Sequence, residues 1–476
     1  MAKVLLVQPH RDIRLERLIE TKKQNLDRYN TERHWRRDKR NKPSPPSSLV
    51  FLATAIKHKH PVKIYDRNLN ANDKDFLEFL KKYNPDIIGF TSMTSAILYD
   101  IIHLGPLIKK KMPKAVIIIG GVHATAEPDS FLKEPYVDYV MRGEGEEAFL
   151  EFCDVFDKNP RKLGKLKNIN KNPVRPFLDI NKIKFPDYSL VNLKNYGHFY
   201  ISTGRGCPGN CTFCYNVGMW GKNGLPCVRI YDTEKTKEIF KEAIEKYGVT
   251  DFTIMDENFI TFKKRTIDVA RFLEKRYKGK INFFIFGRAD FIKNNEEGMM
   301  ALKKAGCHSV QMGIESGSQR VLDYLNKHID VKTQAESIEI CRKTGIFSDA
   351  SFMVGIPTET LEEAKMTENF IKKYHPDVIN LKIFTLLPGS ALFDDMVKQG
   401  RIKKPETLEE WAGTGGLRTI TNNCSNMSDE VLWKMACRLW RIRYYRSRIR
   451  KLFFWIKRGK IIYVLRKIRN LAIIKF

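Results

Sequence analysis

Phe199-Tyr200-Ile201-Ser202-Thr203-Gly204-Arg205-Gly206-Cys207-Pro208-Gly209-Asn210-Cys211-Thr212-Phe213-Cys214-Tyr215 is a short apolar run that breaks into a glycine-containing loop with three cysteines. Their spacing is CxxxCxxC, with an aromatic residue just before the third. A closed structural zinc site takes four ligands, and a plain ferredoxin cluster takes four cysteines. Three thiolates hold three irons of a [4Fe–4S] cube and leave the fourth iron open to a small ligand. The incomplete set at Cys207, Cys211 and Cys214 therefore predicts a cluster that does chemistry. The competing reading is a zinc knuckle, which needs a fourth ligand such as Cys227 or His123.

Outward from this loop, strand and helix patterns alternate. Strands are expected near Phe199–Thr203, Phe252–Asp256, Phe283–Arg288, Ser309–Ile314, Ser351–Val354 and Val378–Phe384. Helical periodicity fills the gaps, as in Thr233–Lys246, Lys264–Lys278, Lys332–Thr344 and Thr360–Lys373. Six such units over residues 196–420 predict a partial (β/α)6 TIM-like barrel, whose chemistry belongs at the C-terminal ends of its strands. The cysteine loop follows the first of those strands.

The first 154 residues show a second alternation. Apolar runs at Val4–Val7, Val62–Tyr65, Ile87–Thr91, Val116–Ile119 and Tyr136–Met141 are separated by helical stretches such as Leu49–Lys57 and Ala96–Lys111. Short continuous apolar runs, each followed by a helix, describe a parallel sheet covered on both faces. The expectation is a doubly wound, flavodoxin-like α/β domain that binds ligands beyond its strands' carboxyl ends. Residues 155–195, rich in Lys, Asn and Pro, read as the linker between the two.

Nine cysteines, three clustered and six scattered, are too few and too irregular for a disulfide framework. They suit a reducing cytoplasm. The 476-residue chain carries a formal charge of +29, and Val431 to Phe476 alone holds 15 Lys and Arg with no Asp or Glu. Lys and Arg keep every apolar run of residues 421–476 below the length that spans a bilayer. A basic amphipathic helix with aromatic anchors is expected there, suited to peripheral contact with the inner face of the membrane. A terminal helix docked on the barrel is the ordinary alternative. No recognisable RNA-binding module accompanies the charge, so nucleic acid is not an expected partner. The basic stretch from Arg11 to Lys42 is a long insertion in the first strand-to-helix connection, placed to cover a ligand or shape an entrance.

The second half resembles the radical S-adenosylmethionine (SAM) superfamily. Beyond the cysteines, Met255-Asp256-Glu257-Asn258-Phe259 ends the second strand, Gly313-Ile314-Glu315-Ser316-Gly317 the fourth, and Phe352-Met353-Val354-Gly355-Ile356-Pro357 the fifth. The resemblance implies SAM contacts from Phe213, Tyr215, Asp256, Glu257, Asn258, Arg288, Glu315, Gly355 and Pro357. Helix capping is an ordinary use for Asp256 to Asn258, and a strand-end surface carboxylate is the ordinary reading of Glu315.

The first half resembles the cobalamin-binding module that precedes many radical SAM barrels. The carrying segments are Pro45-Pro46-Ser47-Ser48-Leu49-Val50-Phe51-Leu52, Pro85 to Ser92, Gly120-Gly121-Val122-His123 and Arg142-Gly143-Glu144-Gly145-Glu146-Glu147. Cobalamin contacts are implied at Thr91, Ser92, Gly120, Gly121, Val122, His123, Gly143 and Glu144. The Asp-x-His-x-x-Gly motif that supplies a cobalt-ligating histidine elsewhere is absent, which implies cobalamin held without that ligand. His123 also reads as a loop hydrogen-bonding group.

Together these resemblances imply a cobalamin-dependent radical SAM enzyme with three cofactors: a [4Fe–4S] cluster, SAM and cobalamin. The implied reaction is transfer of a methyl group to an unactivated carbon of a small-molecule or lipid-like substrate. An electron donor such as flavodoxin or ferredoxin is the implied partner. Oxidative cyclisation or rearrangement, as in the anaerobic magnesium-protoporphyrin ester cyclase, fits the same motifs. A non-catalytic cobalamin or cluster sensor is the remaining alternative.

Overall fold

The computed structural model describes residues 1–10, 42–221, 224–414, 420 and 422–442. Five runs form the first sheet: β1 (Val4–Gln8), β2 (Val62–Asp66), β3 (Ile87–Ser92), β4 (Val116–Gly121) and β5 (Tyr139–Val140). Their order is β2-β1-β3-β4-β5, with every pairing parallel. The reversal of strand order between β1 and β3 makes the switch point at which doubly wound sheets bind ligands. The run Tyr136–Met141 contributes only two residues to β5.

The second sheet contains β6 (Phe199–Ile201), β9 (Asp251–Ile254), β10 (Asn282–Phe286), β11 (Cys307–Glu315), β12 (Phe347–Val354) and β13 (Val378–Ile383). These six parallel strands lie in strict chain order, β6-β9-β10-β11-β12-β13. Without a reversal of order the crossovers stay on one side, the arrangement of a barrel wall rather than a doubly wound sheet. Among the described residues β6 and β13 do not pair, so the wall is open. A two-stranded antiparallel ribbon, β7 (Gly204–Arg205) with β8 (Arg229–Ile230), flanks the cysteine loop and has no counterpart in the expected elements.

Apolar burial explains how the halves join. One continuous core contains Leu5, Val7 and Phe90 of the first sheet together with Leu325, Ile356 and Trp411 of the second half. The last helix of the first domain, Glu146–Lys158, extends four residues past the boundary expected at 154. Residues beyond it pack rather than dangle: Leu163 and Ile169 enter the first domain's core, and Ile180, Ile183 and Tyr188 enter the second's.

Residues 429–442 form a helix that buries Leu432, Met435, Ala436 and Leu439 on the barrel core. Arg438 Nε donates to Glu368 at 2.8 Å. For this stretch the docked-helix reading holds. Residues 443–476, with most of the basic tail, and residues 11–41 of the insertion lie outside the described residues. Among the described residues no helix is long and apolar enough to cross a membrane.

Candidate active site

The cysteine loop is held from several sides. Thr212 N donates to Leu325 O at 3.0 Å and Leu392 N donates to Thr212 O at 2.8 Å. Asn326 Nδ2 donates to Asn210 O at 2.8 Å. Gly206 opens the loop at φ +91, a left-handed conformation natural to glycine. A Cβ there would fall 1.9 Å from Cys227 O. Gly209 N points at Cys207 Sγ at 3.5 Å. Burial raises the Cys207 thiol and pushes Cys214 up to about 12. Removing those thiol protons therefore needs a positive partner, which is what a metal cluster supplies.

Among the described residues, no three His, Cys, Asp or Glu side chains converge as ligands of one metal ion. A four-iron cube is different, because it takes each thiolate on a separate iron and needs no convergence on a point. Three cysteines on one tethered loop fit that donor set.

Positive charge gathers beside the loop. Arg288 Nη1 lies 3.8 Å from Cys211 Sγ, and Nη2 donates to Lys327 O at 3.1 Å. Asp290 pairs with the same guanidinium at 3.2 Å. A Cβ on Gly209 would stand 2.2 Å from Arg288 Nη1, so glycine there is the condition for this approach. Asn258 Oδ1 accepts from Arg288 N at 3.0 Å, aiming the residue from the end of the neighbouring strand.

Lys327, which no sequence motif marks, is buried and pairs with Glu315 at 3.1 Å. Burial alone would lower its ammonium, but Glu315 and Cys211 hold it above the ordinary lysine value. Glu315 has φ +65, and the β11–β12 register shifts between Gly313 and Glu315. Such a bulge re-aims a strand-end side chain, and a non-glycine residue in this region marks local strain. A Cβ on Gly313 would lie 2.1 Å from Glu315 Oε1 and 2.9 Å from Lys327 Nζ. The only sequence trace of this pair is Asn326, a residue type that tolerates the φ of +52 it adopts before Lys327.

Other expected SAM contacts are placed differently. Asp256 is buried and accepts from Thr203 N and Thr203 Oγ1, both at 2.5 Å, while Arg265 lies 4.0 Å away. Its carboxylate ties the end of β9 to the end of β6. Glu257 accepts from Gly206 N and from Trp220 Nε1, each at 3.0 Å, so it braces the entry to the cysteine loop. Phe213 packs into the core shared by the two halves, whereas Tyr215 is exposed. Gly355 takes φ +85 and donates its N–H to Glu359 Oε2 at 2.7 Å, and Ile356 between it and Pro357 is buried.

In the first domain most of the expected cobalamin side chains are turned to internal work. Ser92 Oγ donates to Gly120 O at 2.7 Å and accepts from Ala124 N at 3.1 Å. His123, in the short helix Val122–Ala126, is fully buried between Thr94 Oγ1 at 2.8 Å and Ser130 Oγ at 3.2 Å. It stands edge-on to Trp411 at 5.3 Å, and burial lowers its imidazole to about 4. This is a core histidine. The Glu144 carboxylate meets Arg205 and Arg229 of the second half. A Cβ added at Gly120 would make ordinary contact with Met141 O at 3.8 Å, and the glycine is half-buried. Gly121 runs at φ +100, and Gly143 N donates to Thr125 Oγ1 at 3.0 Å. Thr91 is half-buried, and Met93 just past β3 is exposed.

The two strand-end edges abut. The helix Val122–Ala126 packs against Asn216–Trp220, which follows the cysteines. A Cβ on Gly389 would lie 3.1 Å from Ala126 Cβ. Large apolar side chains stay accessible at these edges, Met93 after β3 and Met255 after β9. In the first domain, exposed Met93 and the half-buried Gly120 and Gly121 lie at the strand ends, a lining of apolar surface and glycine backbone that fits a large cofactor.

A family model described as the Radical SAM superfamily matches residues 201–371, and one described as the B12 binding domain matches residues 37–153. An uncharacterized methyltransferase, PH0819, of Pyrococcus horikoshii is 32% identical over 366 residues, 74% of this chain and 78% of the relative. The anaerobic magnesium-protoporphyrin IX monomethyl ester cyclase of Cereibacter sphaeroides is 28% identical over 75% of this chain, which spans 61% of the cyclase. Among solved structures, the radical SAM methyltransferase TsrM of Kitasatospora setae, with cobalamin and a [4Fe–4S] cluster bound, superposes with a TM-score of 0.65 at 16% identity. That match covers 85% of this chain and 76% of the other.

Proposed function

The chain belongs to the radical SAM superfamily and carries a B12-binding domain ahead of the radical SAM domain, and from that premise we propose that it methylates an unactivated carbon. It is an enzyme whose cofactors are a [4Fe–4S] cluster, SAM and cobalamin. When bound, these supply an electron, a 5′-deoxyadenosyl radical that abstracts hydrogen, and a transferable methyl group. The protein's contribution is binding, orientation and exclusion of water.

The carrying observation is the open three-cysteine loop with Arg288 and Lys327 beside it, abutting the strand ends of the B12-binding domain. Cys207, Cys211 and Cys214 would hold the cluster. Arg288 and Lys327 offer fixed positive charge to a carboxylate such as that of SAM's methionine moiety. Glu315 keeps Lys327 charged and aimed. Asp256, Glu257 and Asn258 act from behind, holding Thr203, Gly206 and Arg288 in place. Glycine backbone at Gly120, Gly121 and Gly143, with Thr91 beside it, would carry cobalamin contacts. The substrate is proposed to be a small or lipid-like molecule, with a small redox protein supplying the electron.

Methyl transfer is favoured because a relative 32% identical over most of both chains is named a methyltransferase. Cyclisation is the second reading, carried by the 28% identity to a magnesium-protoporphyrin ester cyclase. Anaerobic reconstitution with iron, sulfide, hydroxocobalamin, reductant and SAM should yield 5′-deoxyadenosine. Trideuteromethyl SAM with cell extract separates the readings: methylation adds a labelled methyl to a product, whereas cyclisation adds none. Absence of 5′-deoxyadenosine from a chain with intact cluster and supplied extract would overturn both.

A further inference from the structure

Glu144 is the least exposed member of a charged knot between the halves. Its side chain is 5% exposed, and Arg205 and Arg229 are 14% and 15% exposed. Glu144 Oε1 accepts from Arg205 Nη1 and from Arg229 Nη2, the latter at 3.0 Å. Its Oε2 accepts from Arg229 Nη1 and from Leu178 N, both at 3.0 Å. Both carboxylate oxygens are thus fully engaged, and Glu146 takes the remaining arm of Arg205. Burial would raise the Glu144 carboxyl, but the two guanidiniums and Leu178 N–H outweigh it and lower it. Trp220 lies beneath both arginines, 5.5 Å from Arg205 and 5.8 Å from Arg229.

The ends of this knot decide its meaning. Glu144 follows Gly143 at the strand-end edge of the B12-binding domain, while Arg205 precedes Cys207 by two residues. Trp220 Nε1 and Gly206 N share the carboxylate of Glu257, so the knot continues into the backbone that starts the cysteine loop. A single buried carboxylate in a fixed bidentate fork therefore links the two cofactor-bearing loops through charge-assisted and backbone hydrogen bonds.

We propose that Glu144 is a positioning residue that sets the separation between the cobalamin and the cluster. The proposal rests on the functional reading above. The neutral isostere Glu144→Gln keeps the shape but cannot satisfy two guanidiniums, so the loops lose their common reference while each domain keeps its own core.

The test uses the full chain, reconstituted with cluster and hydroxocobalamin and reduced with dithionite so that both centres are paramagnetic. Pulsed dipolar electron paramagnetic resonance then reads the distance between them. The wild type should give one narrow distance, and Glu144→Gln should broaden it at least twofold at unchanged iron and cobalamin stoichiometry. An unchanged distribution in the fully loaded variant would overturn the proposal. If Glu144→Gln fails to load, Glu144→Asp, which keeps the charge on a shorter stem, is read in the same way. A distribution like the wild type's in Glu144→Asp also overturns it. A wild-type chain that takes up neither centre would overturn the functional reading, a result distinct from either variant's.

Discussion

The strand-end edges of the two domains use their polar side chains in opposite ways. In the first domain, Ser92, Thr94 and His123 close on one another and on nearby backbone. In the second, Arg288, Lys327 and Glu315 concentrate charge beside Cys211. On the proposed function the first edge would carry cobalamin, and the second the cluster and SAM. A cluster with an amino-acid-bearing ligand needs fixed charges, which stay ionised in a buried site only when they are paired.

The charged edge breaks most completely at its cysteines. Cys207→Ala should abolish 5′-deoxyadenosine formation, read by chromatography after anaerobic reconstitution, while far-ultraviolet circular dichroism stays that of the wild type. Lys327→Met should be next, because it leaves Glu315 buried without its partner. Uncompensated buried charges of this kind cost about 3–5 kcal/mol, measurable as a lowered urea midpoint. Lys327→Arg should recover much of that loss.

The closed edge should reveal itself through pH. The folded state holds His123 at about 4 against an ordinary 6.5. Between those values the unfolded chain binds the proton and the folded chain does not. Stability is therefore complete above 6.5 and is lost as pH falls towards 4, by about 3 kcal/mol at roughly 1.4 kcal/mol per pH unit. His123→Phe should flatten that segment of the stability-against-pH curve, and an equal slope in both proteins would refute the buried-histidine account. Ser92→Ala should have the smallest effect, about 1–2 kcal/mol for the lost bonds to Gly120 and Ala124. If hydroxocobalamin affinity then falls more than tenfold, Ser92 contacts the cofactor directly and the contrast between the edges weakens.

Much of the architecture is legible in the sequence because it depends on short-range pattern. Apolar runs place the strands of both main sheets to within about four residues; β5 is shorter than its run and β12 begins at Phe347, four residues before its own. The ribbon β7–β8 escapes because two-residue strands carry no periodicity, and the pairing of Gly204 with Ile230 spans an irregular segment. The cysteine loop is plain from spacing alone. Asp256 and Glu144 are legible as polar residues at strand ends, yet their partners Thr203, Arg205 and Arg229 are distant in sequence. Lys327 leaves almost no trace, because its direction depends on a turn and on Gly313, well before it in the chain.

Sequence by itself determined the two α/β alternations, the three-thiolate set and the B12-binding and radical SAM motifs, since each is carried by residues close together in the chain. Tertiary structure alone decided which partners the motif side chains meet. Hydrogen bonds and burial fix those pairings, and both are made by side chains that meet only after folding. Thus Asp256 became a brace, His123 a core residue and Glu144 a link between domains, while Lys327 joined the charged edge.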